Sequence, residues 1–167
     1  MKAVMMSIQP KWCELIASGK KTVEVRKTRP KLEAPFKCYI YETKAKDHYA
    51  VFHENTIGKV IGEFVCDDIV KILNCGTRFI LERRSNTETN RFAQNSCLDF
   101  DDMKMYLAGG NNGYAWHISN FVIYDEPKEL SEFHLPCNSE CDGCCEYGCV
   151  RMLKRPPQSW FYVEELR

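Results

Sequence analysis

The chain has 167 residues, enough for one domain with a sizeable core and too few for two domains of ordinary size. Its 23 Lys and Arg balance 23 Asp and Glu, so no overall field draws it to nucleic acid or to an anionic membrane, and any polyanion site has to be a local patch. No stretch approaches the roughly 20 apolar residues that span a bilayer, and the opening MKAVMMSIQPKW lacks the apolar core of a signal peptide, so a cytoplasmic protein with no membrane partner is expected.

In chain order, residues 3–8 (AVMMSI) form an apolar run without helical period and read as a buried strand. Pro10 then opens a segment in which Trp12, Leu15 and Ile16 recur at helical spacing, and Gly19 stops it. From Thr22 the residues alternate as in a half-buried strand, with Val23 and Val25 on one face and Thr22, Glu24 and Arg26 on the other. A period of two sets Glu24 and Arg26 side by side, roughly 7 Å apart at the α-carbons, with Lys21 at the mouth of the strand. On residue types alone, a solvated face with an ordinary surface ion pair accounts for them.

Farther along, KCYIYET (37–43) is rich in β-formers, and KVIGEFVCDDIVKIL (59–73) reads as a strand that bends near Asp67 and Asp68, with a polar loop between the two. Residues 74–96 lack clear periodicity and read as a long connection holding at most a short helix. Asp99 to Leu107 suits a short helix, acidic in its first turn and ended by Gly109-Gly110. NNGYAWHISNFVIYDEP then gives a turn followed by strand, KELSEF a helical turn, and QSWFYVEEL a last strand. The sum is an α+β fold, a mixed sheet closed into a small barrel with two or three flanking helices.

Gly19, Lys21, Glu24 and Arg26 fill every place of the pattern Gly-x-Lys-x-x-Glu-x-Arg after a helix. That pattern resembles the signature of the ASCH domains, members of the PUA-like superfamily, and SIQPKWCELI and RKTRP also look like ASCH sequences. The resemblance covers roughly residues 1–125. It implies a single PUA-like domain over 1–167, with 136–151 as a Cys-rich insertion, and a cleft lined by the signature. The superfamily is associated with RNA binding, RNA modification and translation. In that reading Lys21 and Arg26 offer charged donors to a phosphate or base edge, and Glu24 accepts from an exocyclic amine or orients its neighbours. Tyr41, Tyr114 and Trp116 are candidate stacking faces for an unpaired base, with core packing as the competing role of each.

RNA or a nucleoside-like small molecule is therefore the expected partner, and no organic cofactor is expected. The alternative is catalytic. Some bacterial ASCH proteins are amidohydrolases that deacetylate N4-acetylcytidine, and Lys21 matches their motif lysine. Glu24 occupies the place of their threonine, which leaves Lys21 as nucleophile or base and Glu24 as proton carrier. His117 is a conceivable base for RNA cleavage, although a lone histidine is more often structural. A third reading is a non-catalytic module in which the same charges contact a protein.

Ten cysteines without a secretion signal suggest thiols or metal ligands rather than disulfides. Cys13, Cys38, Cys66, Cys75 and Cys97 are scattered and read as small buried hydrophobes. PCNSECDGCCEYGC is different: Cys141-x2-Cys144 matches a two-ligand zinc knuckle, and Cys137, Cys141, Cys149 and either Cys144 or Cys145 form a four-thiolate set for one structural zinc. An iron-sulfur centre or uncommitted thiols are the alternatives.

Overall fold

The opening strand forms as expected. β1 (Lys2–Ile8) is buried from Ala3 onward and pairs in parallel with β3 (Phe36–Glu42) and antiparallel with β9 (Trp160–Glu164). A strand covered on both faces carries a continuous apolar run, which is why AVMMSI does not alternate. The computed structural model describes residues 1–44, 55–107, 112–137 and 151–166. The chain gathers into two compact units, the first made of Met1–Glu14, Phe36–Phe64 and Phe121–Arg167 and the second of Leu15–Pro35 and Val65–Asn120.

The first unit is built on a five-stranded sheet in the order β8-β4-β3-β1-β9, with β4 running over Val60–Cys66 and β8 over Ser119–Lys128. Ala3, Met5, Tyr39, Val60, Phe133 and Val163 pack into its core, where Phe133 meets the Tyr39 ring edge-on at 4.9 Å. A 3-10 turn at Leu130–Glu132 answers the expected helical turn and delivers Phe133. At Gly62 a side chain has no room, since a Cβ would fall on the backbone carbonyl of Val122.

The second unit is built on a four-stranded antiparallel sheet in the order β2-β7-β5-β6, comprising Val23–Arg26, Gly113–His117, Ile69–Asn74 and Phe79–Leu81 respectively. Val23, Val25 and Ala115 project to the face covered by α2 (Asn86–Ser96) and α3 (Phe100–Tyr106), where they pack with Ile72, Phe92 and Met103. Before this sheet, α1 (Pro10–Ala17) ends at Gly19, whose φ of +71° is the left-handed conformation that glycine adopts without steric cost.

Four expectations are corrected. The single bent strand over 59–73 is two strands: at Asp67–Asp68 the chain leaves the five-stranded sheet and β5 joins the four-stranded one. For that reason the described residues form two open sheets rather than one closed barrel. Residues 74–96 are not a long connection, because β6 and the eleven-residue α2 occupy them. Of the scattered cysteines, Cys13, Cys38 and Cys66 are buried as expected, but Cys75 is exposed and Cys97 partly so. Of the Cys-rich insertion only Pro136, Cys137 and Arg151 lie among the described residues, so Cys141, Cys144, Cys145 and Cys149 receive no structural account.

Candidate functional site

The signature segment enters the second unit held by its backbone. Lys21 N–H donates to Leu15 O at 2.9 Å, Thr22 N–H to Asn95 O at 3.0 Å, and Ile118 N–H to Thr22 O at 2.8 Å. So anchored, Lys21, Glu24 and Arg26 converge. Lys21 Nζ lies 3.3 Å from Glu24 Oε2, and Arg26 Nε lies 3.1 Å from Glu24 Oε1. Lys21 Nζ also donates to the carbonyl of Ser96, the last residue of α2, at 2.6 Å.

The three residues are only 2, 8 and 5% exposed, so the solvated-face account of them fails. Both faces of β2 are buried, one by apolar packing and the other by this charge network. A carboxylate between two cations offsets part of the cost of burying all three.

Tyr106, at the end of α3, completes the arrangement. Its hydroxyl shares a hydrogen bond with Arg26; burial holds the phenol above its ordinary pKa, and the Arg26 charge opposes that shift. Lys27 Nζ lies 5.5 Å from the centre of its ring. Tyr106 stands 80 positions from Arg26, and nothing in the local sequence marks it.

Strand register places the aromatic candidates. Arg26 faces Tyr114 and Glu24 faces Trp116 across β2 and β7, while Tyr114 also faces Lys71 on β5. Directly opposed residues of antiparallel strands project to the same side, so Arg26, Tyr114 and Lys71 form one row across three strands. Tyr114 is half-buried and reaches a cleft, whereas Trp116 is fully buried and presents no ring face to solvent. Tyr41 lies on β3 in the core of the first unit and is 7% exposed.

His117 is opposite Val23 and therefore projects away from the charge network. Its ring is 45% exposed and its Nδ1 sits 2.6 Å from Asp67 Oδ1. Burial pushes the Asp67 carboxyl up, but the hydrogen bond and charge of His117 outweigh it and the net shift is downward. The same side holds a cavity of about 200 Å³ whose lining includes Val23, Phe92, Ala115, Arg91, Asn95 and His117. Tyr114 and Lys71 of the row line a larger cleft of about 510 Å³.

A two-sheet α+β chain with a buried Lys-Glu-Arg trio after its first helix is the class that fold and site define together. The family model for the ASCH domain matches residues 6–125, and the chain belongs to that family. A mutant ASCH protein from Zymomonas mobilis has a similar crystal structure, with a TM-score of 0.64 at 20% identity over 98% of this chain and 89% of that one. A crystal structure of ASCH from the same organism matches with a TM-score of 0.58 at 23% identity, over 98% and 88% of the two chains. At such identities the likeness is one of fold. Comparison with curated proteins finds no match.

Proposed function

We propose that the second unit binds unpaired RNA, with Lys21, Glu24 and Arg26 as a buried charged frame and Tyr114 as the ring on which a base stacks. The observation that carries this reading is the row itself, in which a half-buried tyrosine, in register between Arg26 and Lys71, opens on a cleft that Lys71 also lines. Stacking on an aromatic ring with flanking cations is how proteins hold single strands whose bases are splayed out. Membership of the ASCH family, which is thought to bind RNA, supports the same direction.

Binding is favoured over hydrolysis by what Lys21 already does. Its side chain is 2% exposed and its Nζ is directed at Ser96 O and Glu24, so it is not presented to a substrate carbonyl as a nucleophile. Glu24 is likewise held between two cations rather than poised to carry a proton.

The test is a fluorescence anisotropy titration with a labelled single strand of about 12 nucleotides, within the usual site size of such surfaces. The wild-type chain is expected to bind, and Tyr114→Ala to weaken binding by about tenfold, the loss of one stacked base. No binding by the wild-type chain at low salt overturns the reading. Cytidine released from N4-acetylcytidine by the wild-type chain and not by Lys21→Ala would replace it with the amidohydrolase alternative.

A further inference from the structure

The cleft beside Tyr114 has a charge pattern of its own. Arg29, Lys71, Arg83 and Arg84 line it against the carboxylates of Asp68 and Glu82. Arg84 is committed, since its Nη2 lies 2.6 Å from Asp68 Oδ2 and its Nη1 lies 3.5 Å from Glu88. Arg29 donates only a long contact, 3.4 Å, to the carbonyl of Pro30. That leaves Arg29, Lys71 and Arg83 against Glu82, and among the described residues none of the three cations makes an ion pair. In a chain with no net charge this is a concentrated local excess.

A second observation is independent of charge. Leu81 O accepts from Arg84 N–H, closing a turn in which Arg83 holds the third place at φ +58°. Glycine is the residue that such a place favours, because any Cβ there crowds the backbone. An arginine kept in a left-handed conformation on the wall of a cleft costs stability for no gain in packing, and such outliers cluster at functional positions.

From these we infer that this cleft takes the phosphates of a polynucleotide strand whose base stacks on Tyr114. The inference rests on the RNA reading above and specifies the part of the ligand bound here. Lys71 stands one strand from Tyr114, about 5 Å away, so a base on the ring brings its phosphate to the Lys71 side, and Arg83 and Arg29 meet phosphates on that same wall. Lysine supplies a mobile point charge and arginine a fork of donors to phosphate oxygens. The frame of Lys21, Glu24 and Arg26 is buried; the cations that meet solvent in this cleft are different ones.

The experiment repeats the RNA titration across a salt series with Lys71→Ala, Arg83→Gly and Tyr114→Ala, and records a thermal melt of each. Arg83→Gly is the decisive variant because it removes the charge and relieves the backbone together. It is expected to melt at or above the wild-type temperature while binding RNA several-fold more weakly, with a salt slope smaller by about 1. Lys71→Ala is expected to reduce the slope by a similar amount.

If Tyr114→Ala weakens binding and Lys71→Ala and Arg83→Gly do not, the phosphate cleft is overturned while the RNA reading stands. If the two cation variants weaken binding and Tyr114→Ala does not, the cleft stands and the stacking role fails. A 5′-mononucleotide that displaces the strand at equal phosphate concentration overturns the assignment to a strand, as does an acidic peptide that competes equally well. No RNA binding by the wild-type chain overturns both readings.

Discussion

Glu24 is the residue on which the signature turns. It is an acceptor shared by Lys21 and Arg26, and it lies in a region where all three are nearly inaccessible. Replacing it by alanine leaves two buried cations facing each other, and the expected loss is about 3–5 kcal/mol in urea denaturation, with Glu24→Gln losing less because it keeps a dipole and an acceptor. A loss below about 1 kcal/mol would mean that water reaches the trio. The spacing of Glu24 and Arg26 was legible as one face of a strand. Their burial was not, because Ser96, Tyr106 and Trp116, far along the chain, enclose that face.

At the scale of elements, α2 shows where periodicity misleads. Only Thr89, Phe92 and Ser96 of its eleven residues are buried, so its apolar stripe is too thin to stand out. Its start was written in another signal, a capping box in which Ser85 Oγ accepts from Glu88 N–H and Glu88 accepts from Ser85 N–H, satisfying donors that a helix end would otherwise leave open. The converse holds at Gly62, where nothing local marks the glycine as special. Gly62→Ala forces β4 away from the Val122 carbonyl, and a loss of about 2–3 kcal/mol is expected in thermal denaturation. An unchanged melting temperature would mean that the two strands separate freely.

At the scale of the molecule, both units carry a carboxylate that titrates below its ordinary range. Burial raises Glu63 in the first unit, but hydrogen bonds from Lys37 at 2.8 Å and Tyr124 at 2.6 Å outweigh it, and the net shift is downward from 4.5. Asp67 shifts the same way in the second. A lowered folded value means that the ionised carboxylate stabilises the fold above its ordinary range, and the contribution is lost as pH falls through the folded value. Lys37 has the opposite sense: raised chiefly by its hydrogen bond to Glu63, it contributes below its ordinary value of 10.5 and is lost only at higher pH. The melting temperature is therefore expected to fall below about pH 4.5, and Glu63→Gln to flatten that acid limb. An unaltered limb in the variant would remove Glu63 from the account.

The sequence by itself determined β1, α1, β2 and the family. Proline and glycine bounded α1, alternation marked β2, and four motif positions identified the ASCH domain, because each signal lies within a few residues of chain and needs no partner. Only the tertiary structure decided that β4 and β5 part at Asp67–Asp68 into two sheets, that the signature charges are buried, that Tyr106 joins them, and that Tyr114 stands between Arg26 and Lys71. Strand pairing and burial are properties of residues remote in sequence, and the free energy of a charge depends on what covers it. A strand's pattern reports which side chains share a face, but not what that face meets.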